Sequence, residues 1–232
     1  ARLDVDVDQP IPEALLGVIG SARFAASKVR DRFSPDGWAA LNDLAKSAGR
    51  LASRVRPGDD AAQAMSVLLR KISGFSGLVH ENMYHFAGWR FLSLGRAQER
   101  ADGTLTVLTD FTAPQAPPGM LEIAIEIGDS VLTHQRRYRF GPSRGTVLDL
   151  LALDAKNPRA VLNQIAQMRH HVGRLPHTGA DEGRASALER QLMMLDTDLR
   201  VADPGTLTPE RLCDMHGRMT QVHDLIQTTL LR

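Results

Sequence analysis

The sequence has little cysteine, few aromatic residues and no excess of charge of either sign. One cysteine, Cys213, excludes an internal disulfide framework and is typical of a reducing compartment. Its place beside an apolar stripe predicts a buried structural thiol rather than a nucleophile. Lys and Arg number 28 against 27 Asp and Glu, so the basic excess of nucleic-acid-binding proteins is missing. We therefore expect no nucleic-acid partner.

Long apolar runs and familiar catalytic loops are also missing. No run approaches the roughly 18 residues that a membrane-spanning helix needs, and the opening ARLDVDVDQP is unlike a secretory signal peptide. The sequence has no glycine-rich phosphate loop and no Gly-x-Ser-x-Gly motif. The histidines of HENMYH (80–85) are too few for a metal site. These absences predict a cytoplasmic protein with no membrane partner, no metal and no cofactor in this chain.

Helical periodicity runs through almost the whole sequence, without the alternation that marks strands. It predicts an all-α fold, a multi-helix bundle with residues 1–232 in a single domain. The predicted helices lie near 12–33, 35–55, 60–83, 85–110, 119–140, 146–154 and 158–174, with two more after them. The last two keep clear apolar faces, formed by Leu188, Leu192, Leu195 and Leu199, and by Leu212, Met215, Met219, Val222, Ile226 and Leu230.

A weak internal repeat relates IPEALLGVIGSARFAASKV, from residue 11, to NPRAVLNQIAQMRHHVGRL, from residue 157. The matched pairs are Pro12 with Pro158, Ile19 with Ile165, Arg23 with Arg169 and, upstream, Asp8 with Asp154. The repeat predicts that residues 1–33 and 147–176 superpose. The counterpart of the helix at 88–108 would then precede residue 1. We therefore expect a domain truncated at its N-terminus.

The stretch GWRFLSLGRAQERADGTLTVL (88–108) places ionisable residues on the same helical stripe as a tryptophan. One stripe is an ordinary buried face and carries Phe91, Leu94, Ala97, Ala101, Leu105 and Leu108. The opposite stripe carries Trp89, Leu92, Arg96, Glu99, Arg100 and Gly103. Because Trp and Leu are unusual on a solvated face, we expect Trp89, Arg96, Glu99 and Arg100 to be buried. Arg96 and Glu99 are three residues apart and can pair, which leaves Arg100 in need of an anion.

Two interpretations of these charges remain open. They form either an internal ion network that fixes helix packing, or a pocket for a phosphate or carboxylate, which arginine grips with two parallel hydrogen bonds. The predicted helix at 119–140 offers partners, since Glu122, Glu126, Asp129, Thr133 and Arg136 share a stripe that Ser130 and Arg137 flank. That stripe is either a solvated face or the source of carboxylates that answer Arg96 and Arg100.

The segment around Asn157 marks the start of another predicted helix. Asn157 is predicted to be its N-cap, with Pro158 at the first helical position. Arg159 would then lie in the first turn, where a cation opposes the helix dipole. We expect Arg159 to be held by Asp154 or by a bound anion.

Four segments resemble the alpha-E family, an all-helical bacterial group named for its Glu-Arg motif. GWRFLSLGRAQERA is similar to that motif, and ARFAASKVRDRFSPDGW (22–38) resembles the family's Arg-rich helix before a Trp. EIGDSVLTHQRRY (126–138) and VLDLLALDAKNPRAV (147–161) are similar to its Asp-Ser and Asn-Pro-Arg segments. The family's first Glu-Arg helix is absent here, and Ala25 and Ser27 stand where the family tends to have Asn and Arg.

The resemblance implies a setting rather than a reaction. Alpha-E domains occur beside or fused to circularly permuted ATP-grasp ligases, often with transglutaminase-like proteins, in sets thought to form amide bonds in peptides. The expected partner is therefore an ATP-grasp ligase domain or protein, with a transglutaminase-like protein as a further neighbour. ATP and Mg²⁺ would belong to the partner ligase alone.

Three functions fit these observations. The chain is a helical partner domain of an amide ligase with an Arg-lined pocket, an enzyme that acts as a transferase or hydrolase on the ligase product, or a structural interaction module. The lack of a nucleophile–base pair favours the first. The candidate binding residues are Trp89, Arg90, Arg96, Glu99, Arg100, Asp129, Ser130, Arg136, Arg137, Tyr138, Asp154, Asn157 and Arg159.

Overall fold

The computed structural model describes residues 11–56, 58–175 and 185–230, and these residues form ten α-helices and no strand. The predicted all-α fold is confirmed. The chain divides into two compact units, Ala1–Trp89 and Arg90–Arg232. A single domain over the whole chain stays a prediction. Within the described ranges, no helix is long and apolar enough to cross a membrane.

The first unit is built from three long helices. Their bounds are α1 Glu13–Lys28, α2 Pro35–Ala52 and α3 Asp59–Asn82. The side chain of Ser34 caps α2 by accepting a hydrogen bond from the Gly37 backbone N–H at 3.0 Å, and Pro35 occupies the first turn. The core of this unit contains Ile11, Ile19, Ala26, Leu41, Leu44, Ala48, Ala64 and Leu68.

The second unit contains most of α4 and the helices that follow it. Their bounds are α4 Ala87–Phe111, α5 Met120–Ile127, α6 Val131–Arg137, α7 Arg144–Leu148, α8 Val161–Val172, α9 Ala187–Arg200 and α10 Pro209–Leu230. One core cluster joins the buried faces of α4, α5, α7, α8, α9 and α10. It includes the predicted stripe of α4, with Leu94, Ala97, Ala101, Leu105 and Leu108 buried and Phe91 packed at its edge. The apolar faces predicted for α9 and α10 also lie in this cluster.

The predicted continuous helix over 119–140 is wrong, because the structure breaks it between α5 and α6. Gly128 ends α5, and Asp129 adopts φ of 48°, in the left-handed region that interrupts a right-handed helix. The Ser130 hydroxyl donates to the Gly128 carbonyl at 2.8 Å and stabilises the break. A Cβ at Gly128 would lie 2.5 Å from a methyl of Leu151, so glycine permits this close approach.

The start of the helix predicted near 158 also differs from the prediction. After α7, the chain continues as a π-helical turn, Asp149–Leu153, and α8 begins only at Val161, with Ala160 as its N-cap. The Asn157 side chain accepts from the Arg159 backbone N–H at 2.9 Å, so it caps a turn before the helix. Arg159 therefore lies outside α8.

The predicted repeat is only partly covered by the described residues. Ile19 and Ile165 are both buried, in α1 and α8, whereas Asp8 lies outside the described ranges. The superposition of the two segments stays a prediction. The buried thiol predicted at Cys213 is wrong, because Cys213 is exposed on α10.

Candidate functional site

Three arginines of the second unit lie close together without a carboxylate partner. They are Arg96 and Arg100, one turn apart on α4, and Arg159, in the turn before α8. Among the described residues, none of their guanidinium groups forms an ion pair. Burial lowers the pKa of Arg100 below its ordinary value, and repulsion from Arg96 and then Arg159 lowers it further. These three residues, the arginine cluster, form a site of positive potential.

Arg100 and Arg159 line a groove of about 210 Å³. We call it the ER groove after Glu99 and Arg100, which both line it. Its polar side is formed by Glu99, Arg100, Gly103 and Thr104 of α4 and by Arg159. Its apolar side is formed by Val107, Ala124, Ile127 and Leu151, with Gly128 at the end of α5. A Cβ at Gly103 would have no heavy atom within 4 Å, which shows that the groove is open there. A volume below the usual 300–1,000 Å³ of drug-sized sites suits a small ligand or one side chain.

Hydrogen bonds from Asn157 fix the turn that carries Arg159 into the ER groove. The Asn157 amide donates to the Leu150 carbonyl at 2.9 Å and to the Ser130 hydroxyl at 3.1 Å. The Thr104 hydroxyl on α4 donates to the Arg159 carbonyl at 3.2 Å. The turn is thus tied to the π-helical turn, to the break after α5 and to α4, which gives Arg159 a defined position.

A second polar cluster lies apart from the arginine cluster. Arg137 bridges Asp149 and Asp154, at 2.9 Å and 2.8 Å, and the Tyr138 hydroxyl donates to Asp149. Burial, then the bond to Asp149, raises the pKa of Tyr138. Asp154 is therefore paired with Arg137, and the sequence-based pairing of Asp154 with Arg159 is wrong. This cluster is internally satisfied and leaves little to bind a ligand.

The predicted burial of the mixed stripe on α4 is wrong for two of its four residues. Arg96 and Glu99 are exposed, whereas Trp89 and Arg100 are half-buried. The predicted Arg96–Glu99 pair does not form in the structure. The reason is that Glu99 borders an open groove and that the side chain of Arg96 extends into solvent. Leu92, which motivated the prediction, is itself 38% exposed.

The other predicted binding residues are dispersed. Trp89 stacks on His85 in the first unit, with ring centroids 3.9 Å apart. Arg90, in the second unit, contributes to lowering the pKa of His171, which burial lowers to about 4. Asp129 and Arg136 are exposed, and within the described part of the chain neither forms an ion pair. Because the helix breaks after α5, Asp129 and Arg136 do not share one helical stripe as the sequence predicted.

A larger groove near the α5–α6 break was missed by sequence reasoning. It encloses about 520 Å³ and is lined by residues that include Glu122, Ile125, Glu126, His134, Tyr138 and Phe140. Burial lowers the pKa of His134, whose Nε2 lies 3.1 Å from the Thr146 hydroxyl. Phe140 is 87% exposed. The predicted continuous helix over 119–140 gave no sign of this groove, because the lining residues come from α5, from α6 and from the segment after α6.

Comparisons with known proteins identify the family of the chain. Residues 5–231 match the model of the Alpha-E family, described as a predicted alpha-helical domain with a conserved ER motif. Glu99 and Arg100, on the polar side of the ER groove, form the Glu-Arg pair of the resemblance stated above. The sequence is also 27% identical, over 99% of its length, to uncharacterized proteins of Mycobacterium tuberculosis and Mycobacterium bovis.

The chain spans only 27% of the length of each of these mycobacterial proteins. No solved structure matches the chain significantly. The family model covers nearly the whole sequence and both compact units. The chain belongs to the Alpha-E family.

Proposed function

We propose that this chain is a helical partner domain of an ATP-grasp amide ligase system, and that its ER groove binds an anionic group of the substrate. The observation that carries the proposal is the arginine cluster. Two of its cations, Arg100 and Arg159, are half-buried beside a groove, and in the described ranges no carboxylate pairs with them. A half-buried cation without a counter-charge is unfavourable, and a bound anion removes that cost.

Arginine suits an anion that must be oriented as well as attracted. Its planar guanidinium presents two parallel N–H groups to a carboxylate or phosphate, so binding fixes direction. Arg100 projects from a 25-residue helix, and Arg159 is held by the bonds of Asn157 and Thr104. Two arginines on backbone held in this way support the positioning of a reacting group for a partner enzyme, which lowers the entropic part of a barrier.

The ligase context is supported by the family and by the length of the relatives. The family resemblance described above implies that Alpha-E domains occur beside or fused to ATP-grasp ligases. The mycobacterial relatives are several times longer than this chain, so there the domain is one part of a larger protein. In the proposed system, ATP activates a substrate on the ligase, while the Alpha-E domain holds the anionic end of a substrate.

Binding of simple anions tests the groove directly. The probes are inorganic phosphate and 4-methylpentanoate, titrated into the purified chain and followed by calorimetry or NMR. Arg100→Met and Arg159→Met should each weaken binding by about ten-fold or more, since hydrogen bonds to charged groups contribute about 1.5–3 kcal/mol. Arg136→Met is the control for the loss of one arginine, because Arg136 belongs to the same unit but lies outside the groove.

The outcomes separate a binding role from a packing role. Arg100→Met should keep or raise the melting temperature, because it removes a cation repelled by two others. If Arg100→Met unfolds the domain, Arg100 is required for helix packing. If Arg100→Met binds anions as wild type does, the groove does not bind anions. Either result contradicts the proposal.

A reconstituted reaction tests the ligase context. The chain is combined with an ATP-grasp ligase encoded beside it or fused to it, and ATP-dependent amide formation is measured. We expect wild type and Arg136→Met to increase ATP-dependent amide formation by the ligase. Arg100→Met should give no increase. If wild type does not change the rate or the product of the ligase, the partner role is wrong even where anion binding holds.

A further inference from the structure

Glu99 is the feature of the ER groove that binding of a simple anion does not explain. Glu99 lines the same groove as Arg100 and Arg159, yet among the described residues its side chain makes no ion pair or hydrogen bond. Arg96 lies three residues away on the same helix, but the two side chains do not pair. A carboxylate left facing an anion site repels the anion, so Glu99 lowers the affinity for any ligand that carries negative charge alone.

A ligand with a cationic group beside its anionic group turns that penalty into an attraction. Arg100 and Arg159 supply the donors for a carboxylate, and Glu99 supplies an acceptor for an ammonium group. Glu99 and Arg100 are adjacent in sequence on α4, and both reach the groove. An α-amino acid carries its two charges a few bonds apart, so one small ligand can meet both residues.

The apolar side of the ER groove adds a third requirement. Val107, Ile127 and Leu151 are aliphatic, and Ala124 leaves space between them. Among the described residues, no aromatic side chain or amide lines the groove, so an aliphatic side chain on the ligand has complementary surface to cover. The volume of about 210 Å³ is sufficient for one amino acid.

We propose that the ER groove selects a free α-amino acid with an aliphatic side chain, with its carboxylate at Arg100 and Arg159 and its ammonium at Glu99. This inference rests on the proposed function, since it names the substrate class of the same groove. It also assigns the two residues of the Glu-Arg pair separate tasks, one for each charge of the ligand.

Three probes that differ by one group test the assignment. They are leucine, 4-methylpentanoate, which is leucine without its amino group, and isopentylamine, which is leucine without its carboxylate. We expect leucine to bind wild type at least ten-fold more tightly than either. Glycine should bind more weakly than leucine, because it leaves the apolar side uncovered.

Three variants assign the charges. Glu99→Gln keeps the size of the side chain and removes its charge, and Glu99 is exposed, so the fold does not depend on it. It should weaken leucine binding about ten-fold and leave or strengthen binding of 4-methylpentanoate. Arg100→Met should weaken both, and Glu99→Asp should retain part of the preference for leucine.

The results distinguish this inference from the proposed function. If 4-methylpentanoate binds wild type as tightly as leucine and Glu99→Gln changes neither, the amino-acid assignment is overturned and the anion groove stands. The amino-acid assignment is also overturned if leucine does not bind while phosphate still binds and Arg100→Met weakens that binding. If no anion binds, or if Arg100→Met changes no affinity, the proposed function and this inference both fail.

Discussion

Replacing Asn157 tests how the fold positions Arg159, and Asn157→Ala should both destabilise the second unit and weaken ligand binding. The Asn157 side chain makes three hydrogen bonds, to Ser130, Leu150 and Arg159, at 3.1, 2.9 and 2.9 Å. An intramolecular hydrogen bond contributes about 1 kcal/mol net, and a buried partner left unsatisfied costs about 1–3 kcal/mol. Ser130 is only 2% exposed, although its hydroxyl keeps its bond to Gly128. The expected loss is therefore about 2–4 kcal/mol.

The measurement is urea unfolding followed by circular dichroism at the helix minimum. Both tryptophans, Trp38 and Trp89, belong to the first unit, so fluorescence alone would miss a change in the second. Asn163→Ala is the matched control, because Asn163 makes one bond, to the Ala155 carbonyl at 2.7 Å, at an exposed site. Its expected cost is about 0.5–1.5 kcal/mol.

A second variant separates the acceptor from the donors of this side chain. Asn157→Asp keeps the oxygen that accepts from the Arg159 N–H but replaces the NH₂ group that donates to Leu150 and Ser130. The free energy of unfolding of Asn157→Asp should lie closer to that of Asn157→Ala than to that of wild type, because two of the three hydrogen bonds are lost. The reasoning is refuted if Asn157→Ala costs no more than Asn163→Ala, since the three bonds would then not hold the turn.

Two further predictions concern packing and acid stability. Gly128→Ala should destabilise by about 1–3 kcal/mol in urea unfolding, because the added methyl meets buried Leu151, whereas Gly95→Ala, at an open position of α4, should be neutral or stabilising; equal effects would contradict this account. The pKa of His171 is lowered to about 4 in the folded chain, so its contribution to stability is present above about pH 6.5 and is lost as pH falls toward 4. His171→Asn removes this titration, so the free energy of unfolding should fall by up to about 3 kcal/mol less than in wild type as the pH falls over that window. An unchanged pH dependence would show that His171 does not titrate there.

The helices were predictable where one apolar period matches one buried face. On α9, Leu188, Leu192, Leu195 and Leu199 are spaced by three or four residues, and all four are buried. Such spacing defines a stripe whatever the partner helix is, so the prediction needs no knowledge of the rest of the fold.

The break after α5 could not be predicted in the same way. Residues 119–140 keep a helical period on both sides of Gly128, and a single glycine is tolerated inside a helix. What fixes the break is the contact of Gly128 with Leu151, a residue 23 positions further along the chain. Side-chain spacing carries no information on that contact.

The charges of the candidate site were predictable in kind but not in pairing. Sequence spacing allowed Arg96 to pair with Glu99, but an exposed pair of this type contributes only a few tenths of a kcal/mol, too little to fix a geometry. Arg159 was expected beside Asp154 or a bound anion, and the first alternative is wrong because Arg137 pairs with Asp154 as well as with Asp149. Which cation remains without a partner is decided by the tertiary fold.

The break after α5 and the arginine cluster form one connected structure, and this has a consequence for binding. Ser130, in the break, accepts a hydrogen bond from Asn157, and Asn157 in turn caps the turn that carries Arg159. A change that displaces the break therefore also moves a guanidinium of the ER groove. Gly128→Ala should accordingly weaken anion binding as well as stability, whereas Gly95→Ala on α4 should leave binding unchanged. If Gly128→Ala lowers stability but binds anions as wild type does, the position of Arg159 is independent of the break, and α4 alone determines the affinity of the groove.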